Sequence, residues 1–165
     1  MNDMTAPVLV THTPFRLSPM PAPGAPDSPS SSRATVAVDA ANSYPCRRCL
    51  RDGKPGETMT LMSYNPFLGE SPYSAPGPVF VHTTGCVEFS GDHIPEQLRR
   101  RLLAVRAYDA GHFMLESDIV DGSDLGSLVG TMFANERVAY AHVHFAKAGC
   151  FAVRVDRRPA GRDHT

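Results

Sequence analysis

Tyr44-Pro45-Cys46-Arg47-Arg48-Cys49-Leu50 is the first of two stretches around which the chain is arranged. The second is Gly77-Pro78-Val79-Phe80-Val81-His82-Thr83-Thr84-Gly85-Cys86. Together they contain three of its four cysteines. Two thiols separated by two residues can direct their sulfurs to one point, and a histidine with a cysteine four positions later can do the same. We therefore expect the two stretches to fold against each other, with the remaining chain as their scaffold.

Length and charge limit what the chain can be. With 165 residues, 42% of them hydrophobic, it is expected to form one compact domain. A formal charge of -1 argues against nucleic acid as a partner. The chain contains no apolar run of the roughly 18 residues that a membrane span needs, and its start lacks the pattern of a signal peptide. We therefore expect a cytoplasmic protein with no membrane partner, whose cysteines are thiols or metal ligands.

Proline, glycine and serine divide the chain into segments. Residues 1–18 are predicted to be an N-terminal segment with short β pieces at 8–10 and 15–17, and residues 19–34 a flexible Pro- and Ser-rich linker. Residues 35–157 are predicted to form a single compact domain, and 158–165 a frayed tail.

Hydrophobic periodicity predicts more strands than helices. An apolar stripe predicts one principal helix over 124–135, and proline followed by a basic run predicts a short second helix over 95–101. Alternating or continuous apolar runs predict strands near 57–64, 79–82, 102–108, 113–120, 138–145 and 150–155. These elements favour an α+β fold, in which a mainly antiparallel sheet is covered by the principal helix.

The spacing of Cys46, Cys49, His82 and Cys86 is typical of a Cys3His metal site, for which zinc is the preferred ion. The two pairs are separated by 32 residues, so the second pair is the less certain half of the set. In the alternative interpretation the cysteines are small buried apolar residues. Another alternative is a thioredoxin-like role in thiol–disulfide exchange. The arginines between Cys46 and Cys49 favour this role, but the turn residues that follow do not.

Other residues are candidates for catalysis. His142 and His144 alternate on one predicted strand and could chelate a metal with His82 or Glu57, or could be wall residues of the sheet. Cys150 could be a nucleophile with His142 or His82 as its base, or a core residue. The catalytic candidates are therefore His82, Cys86, His142 and Cys150.

The Pro-, Gly- and Ser-rich segment 69–78 is expected to be a lip over a cleft. Tyr64, Tyr73 and Arg106 are the residues predicted to hold a ligand there. The run Arg99-Arg100-Arg101 could bind an anion, but a solvated helix face is the favoured interpretation.

Several short motifs occur in a fixed order along the chain. They are Pro45-Cys46-Arg47 with Cys49-Leu50, Pro55-Gly56-Glu57, Ser63-Tyr64 with Pro66-Phe67, Ser71-Pro72-Tyr73, Gly77–His82 with Cys86, Arg106-Ala107-Tyr108-Asp109, and His142-Val143 with Gly149-Cys150-Phe151. In this order they resemble a bacterial family called domain of unknown function 1203, over residues 44 to 155. The resemblance implies a small cytoplasmic bacterial domain without an established activity. It also implies arginine where His144 stands, and a longer ordered start than the segment before residue 35.

Three functions are compatible with these features. The leading prediction is a domain with a Cys/His site that holds structural zinc or forms a thiol cluster. The alternatives are a small-molecule enzyme that uses a histidine or cysteine under the 69–78 segment, and a non-catalytic ligand-binding module. Among the histidines, His82 is expected to matter most to the site because it ends a short buried strand.

Overall fold

A computed structural model describes residues 15–22, 33–67 and 69–159 of the chain. The strands are, in chain order, β1 (Phe15–Ser18), β2 (Ala34–Ala37), β3 (Thr58–Tyr64), β4 (Gly77–His82), β5 (Leu102–Tyr108), β6 (Met114–Asp121), β7 (Tyr140–Phe145) and β8 (Phe151–Arg157). Five of them form a large sheet in the order β1-β8-β7-β5-β6, and the other three form a small sheet in the order β2-β3-β4. Every strand pair is antiparallel.

Two hairpins build the large sheet. In the turn from β5 to β6, the Asp109 carboxylate accepts the backbone N–H groups of Gly111 and Phe113 at 2.9 and 3.0 Å. This is the local bonding for which aspartate is favoured in turns. The turn from β7 to β8 includes Gly149, whose φ of 79° lies in the left-handed region that suits glycine.

The helices are short. Helix α1 spans Glu96–Arg99, a 3-10 turn spans Gly122–Asp124, and helix α2 spans Leu125–Phe133. The predicted α+β class is wrong, because the described chain is mainly β, with two antiparallel sheets. The physical reason is length: the nine residues of α2 extend about 14 Å, whereas five strands about 4.8 Å apart are about 19 Å wide. Helix α2 therefore covers only part of one sheet.

The two faces of the large sheet are buried by different parts of the chain. One face carries Val105, Ala107, Ala141 and Val143, which share a hydrophobic core with residues of α2. The other face is polar and aromatic, and it is covered by the segment between β3 and β4. Phe67 from that segment packs edge-on against His142, with ring centroids 4.8 Å apart. All six residues of β7 are consequently buried.

In the described part of the chain, the small sheet has a core of its own with eight buried hydrophobic members. They are Met20, Val38, Cys46, Cys49, Met59, Met62, Val79 and Val81. Two of the eight are predicted metal ligands. A core this small supplies limited hydrophobic stabilisation, and small cores often depend on a metal or a disulfide.

Some predictions concern residues outside the described ranges. The predicted β piece at 8–10 lies there, as do most of the predicted linker and of the tail. The described residues before the gap include β1, which pairs with β8, and Met20, which is 3% exposed and donates its N–H to the Arg47 carbonyl at 3.0 Å. The division into four segments stays a prediction.

Candidate metal centre and neighbouring cavities

The first half of the candidate site is the cysteine turn, which we define as residues 45–52. Backbone bonds fix the turn at both ends: Cys46 donates to the Arg51 carbonyl at 3.1 Å, and Arg47 donates to the Phe80 carbonyl of β4 at 3.0 Å. Leu50 has a φ of 55°, which is unusual for leucine, and its side chain is 1% exposed. This conformation costs about 1–2 kcal/mol. The burial of Leu50 in the larger core offsets that cost.

The second half of the candidate site is the end of β4 and the residues that follow it. His82 is the last residue of β4, paired with Met59 of β3. Its backbone N–H donates to the Cys46 sulfur at 3.4 Å. Cys86 follows after a turn in which Gly85 has a φ of 72°. The short apolar strand therefore holds His82 against the cysteine turn.

The four predicted ligands lie together. One ligand atom from each of Cys46, Cys49, His82 and Cys86 lies within 4.8 Å of the others. The Cys46 and Cys86 sulfurs are 3.5 Å apart, and the Cys49 sulfur is 3.4 Å from Nδ1 of His82. Four atoms bonded tetrahedrally to one ion at about 2.3 Å would be about 3.8 Å apart. The group can therefore hold a metal ion.

Glu57 orients the imidazole of His82. Its Oε2 lies 3.1 Å from Nε2 of His82 and accepts the Lys54 N–H at 2.7 Å. The Lys54 N–H, then the His82 ring, lower the pKa of Glu57 and so favour the carboxylate. A carboxylate at Nε2 favours a proton on that nitrogen, which leaves the lone pair of Nδ1 directed toward the sulfurs. Such a carboxylate is typical of histidines that ligate metals.

The sulfurs share protons and charge. The hydrogen bond from the Cys49 thiol, supported by backbone N–H groups, lowers the pKa of Cys46 to about 4. The same hydrogen bond and burial raise the pKa of Cys49, and burial raises the pKa of Cys86. Cys46 is therefore the most readily deprotonated of the three thiols, which favours binding of a cation to the group.

His142 and His144 are wall residues of the large sheet. His142 is fully buried, and neither ring nitrogen has a hydrogen-bond partner among the described residues. Burial, followed by the nearby His144, lowers the pKa of His142 to about 3. Nδ1 of His144 lies 3.1 Å from the Gly149 carbonyl, and burial lowers the pKa of His144 to about 4. In the part of the chain that the structure describes, neither residue belongs to a group of three or more possible metal ligands.

The predicted ligand-binding residues line one cavity. Tyr64, Tyr73 and Arg106 line a cavity of about 290 Å³, which also contacts His144 and Cys150. We call it the lip cavity, because the segment 69–78 forms one of its walls. The structure thus places Cys150 with His144, whereas His82 and Cys86 lie in the Cys3His group and do not line this cavity.

A second cavity, of about 570 Å³, lies between the two sheets, and we call it the inter-sheet cavity. The sequence interpretation missed two of its lining residues, Arg47 and Lys147, and it assigned Arg100 and Arg101 to a solvated face. Arg101 is instead bonded to Asp52 at 2.9 and 3.1 Å, with its side chain 17% exposed. The position of Arg47 between two metal-spaced cysteines is the one signal that could have identified it.

The fold and the site define a class: a mainly β domain with a Cys3His group that can hold a metal ion. The chain belongs to the family described as "Protein of unknown function (DUF1203)", whose model matches residues 43–157. The family resemblance of the motifs is thereby confirmed. No curated protein and no solved structure matches the chain. No helix among the described residues is long and apolar enough to cross a membrane.

Proposed function

We propose that this chain is a zinc protein in which Zn²⁺ bound by Cys46, Cys49, His82 and Cys86 holds the small sheet together. The observation that carries the proposal is the convergence of the four ligand atoms within 4.8 Å. Three thiolates and one imidazole suit zinc better than they suit magnesium or calcium, which prefer oxygen ligands. The Glu57 carboxylate at Nε2 of His82 supports the same assignment.

A structural role is favoured over a catalytic one. Four protein ligands complete a tetrahedral shell, whereas catalytic zinc sites keep one position for water or substrate. Cys46, Cys49 and His82 are 0%, 8% and 9% exposed, which leaves little access for a substrate. The ion would join the cysteine turn to the end of β4, two segments 32 residues apart in sequence.

Metal analysis of protein purified without chelators tests the proposal. We expect about one zinc per chain, bound with the four-ligand stoichiometry of a structural site. Replacing zinc with Co²⁺ should give the intense visible absorption of tetrahedral cobalt and the charge-transfer bands of thiolate ligands. Because the cobalt spectrum is recorded on the unmodified chain, this test does not depend on a variant that folds.

The metal content of single-residue variants tests which residues are the ligands. Cys86→Ser and His82→Ala should each lose most of the bound metal, whereas Cys150→Ser and His93→Ala should keep it. The two controls remove the same residue types at positions outside the group. Metal-free protein with a Cys46–Cys86 disulfide, or equal metal content in Cys86→Ser and Cys150→Ser, would contradict the proposal.

A second candidate function is binding of a small molecule in the lip cavity. It is supported by the common placement of Tyr64, Tyr73 and Arg106 around one space. Aromatic walls with a single cation suit a small carboxylate. Cys150 and His144 line the same space, which is the arrangement that a small-molecule enzyme would need.

A further inference from the structure

The inter-sheet cavity combines apolar walls with a basic rim. Its apolar walls come from both sheets, with Phe80 from β4, Leu102 from β5 and Phe145 from β7. A volume of about 570 Å³ is within the range of small-molecule sites. The cavity therefore has room for an organic molecule and a surface that would exclude water from its apolar part.

The charged residues that line this cavity are all cationic. They are Arg47, Arg100, Arg101 and Lys147, and no aspartate or glutamate is among the lining residues. Asp52 neutralises Arg101 through two short bonds, and Arg100 is 3.7 Å from the exposed Glu96. Among the described residues, Arg47 and Lys147 form no salt bridge. In the part of the chain that the structure describes, no carboxylate is therefore paired with Arg47 or Lys147.

Arg47 is the cation that most needs a partner. It is 1% exposed, and its guanidinium lies over the ring of Phe145, 5.0 Å from the centroid. It donates to the Phe151 carbonyl at 2.8 Å, the Pro45 carbonyl at 2.6 Å and the Cys150 sulfur at 3.0 Å. Two of the five N–H groups of a guanidinium are then left over. Burial of a cation without a carboxylate is costly, and an anion at the remaining donors would offset that cost.

We propose that the inter-sheet cavity binds a small amphipathic anion. Its oxyanion head group, a carboxylate or a phosphate, contacts Arg47, Arg100 and Lys147, since guanidinium groups bind both head groups through paired N–H donors. Its apolar body packs against Phe80, Leu102 and Phe145. The inter-sheet cavity shares Cys150 with the lip cavity, but Arg47, Arg100 and Lys147 line the inter-sheet cavity and not the lip cavity. None of the four candidate metal ligands lines it, although Arg47 projects from the turn that carries two of them.

Calorimetric titration of the metal-loaded full chain tests the proposal. The probes are hexyl phosphate, hexanoate, the neutral hexan-1-ol, and inorganic phosphate as a head group alone. We expect at least one of the two six-carbon anions, hexyl phosphate or hexanoate, to bind with a Kd below about 1 mM. Hexan-1-ol and inorganic phosphate should bind at least about tenfold more weakly, because hexan-1-ol lacks the charged head group and inorganic phosphate lacks the apolar body. The tighter of the two anions identifies the head group.

Two substitutions at the two lysines of the chain locate the site. Lys147→Gln should weaken binding of the preferred anion about fivefold or more, by loss of one charged contact. Lys54→Gln makes the same change at another exposed lysine outside this cavity and should leave the Kd unchanged. Both residues are exposed, so neither variant endangers folding. The metal content of each variant is measured, so that loss of metal is distinguished from loss of anion binding.

Alkylation of Cys150 gives an independent location. Cys150 lines the inter-sheet cavity beside Arg47 and also lines the lip cavity. The bound anion should slow its reaction with iodoacetamide, as followed by peptide mass spectrometry, and the protection should be weaker in Lys147→Gln, because Lys147 lines the inter-sheet cavity and not the lip cavity. Three results would overturn the proposal: equal binding of hexan-1-ol and the anions, an equal Kd in the Lys147→Gln and Lys54→Gln variants, or no binding of either anion at millimolar concentration.

Discussion

His142 is the residue whose environment departs most from what its polarity requires. The ring is packed among Phe67, Tyr108, Tyr140 and Phe151, and its two nitrogens have no partner among the described residues. Such a ring is tolerated only while it is neutral, because burial without a partner penalises the charged form most. The pKa values of about 3 for His142 and about 4 for His144 express this penalty.

The buried histidines should make the domain less stable in mild acid. The unfolded chain takes up protons at these residues near pH 6.5, the ordinary value, whereas the folded chain does so only near pH 3 and 4. Folding lowers both pKa values. The contribution of the two neutral histidines to stability is therefore fully present above pH 6.5 and is lost as pH falls. With two histidines the free energy of unfolding falls by about 2.7 kcal/mol per pH unit between about pH 6 and pH 4.

His142→Phe tests this pH dependence with a ring that suits the aromatic surroundings. The free energy of unfolding, measured by denaturant titration, should fall less steeply in the variant, by about 1.4 kcal/mol per pH unit between pH 6 and 5. The comparison at pH 8, where both proteins are neutral at this position, serves as the control. A stability difference that is the same at pH 8 and pH 5 would contradict the expectation.

Gly122 lies where the 3-10 turn meets α1. A Cβ on Gly122 would lie 1.8 Å from the backbone oxygen of Leu98, and the Gly122 N–H is bonded to the Arg101 carbonyl at 2.8 Å. The atoms nearest to this Cβ are all backbone atoms of α1, so a side-chain adjustment cannot relieve the overlap. Gly130 in α2 is the matched position, since a Cβ there would meet nothing within 4 Å.

Alanine at the two glycines should therefore change stability in opposite directions. Gly122→Ala is expected to destabilise the domain by about 2 kcal/mol or more, through displacement of α1. Gly130→Ala is expected to stabilise it by up to about 1 kcal/mol, the helix-propensity difference between the two residues. Denaturant midpoints measure both changes, and a shift of the same sign in both variants would show that α1 does not pack tightly at Gly122.

The same elements show how much of the fold the sequence could predict. The hairpin from β5 to β6 was predictable because Asp109 and Gly111 punctuate two apolar runs, and α2 was predictable from its apolar stripe. The fold class was not, because periodicity detects a helix but not whether its length suffices to cover a sheet. The candidate metal ligands could be predicted from local spacing, whereas the contacts of Arg47 are with Phe151 and Cys150, more than 100 residues away in sequence.

At the scale of the whole molecule, the two sheets are stabilised differently. Among the described residues, the buried core of the large sheet includes residues of four strands and α2, whereas the small sheet has eight buried hydrophobic residues, two of which are candidate metal ligands. Structural zinc in small domains supplies roughly 10 kcal/mol or more of folding free energy. The proposed ion should therefore matter to the small sheet much more than to the large one.

Removal of the metal by a chelator should then unfold one part of the molecule before the other. Hydrogen exchange, followed by mass spectrometry, should show loss of amide protection in β3, β4 and the cysteine turn, while β5, β7 and β8 stay protected. Arg47 belongs to the cysteine turn, so the inter-sheet cavity should lose its anion affinity in the same preparation. Restoring zinc should recover both properties. Cys86→Ser treated in the same way is the control, since it lacks one of the four ligands and zinc should not restore its protection. Equal loss of protection in both sheets, or none in either, would mean that the Cys3His group does not hold the small sheet together.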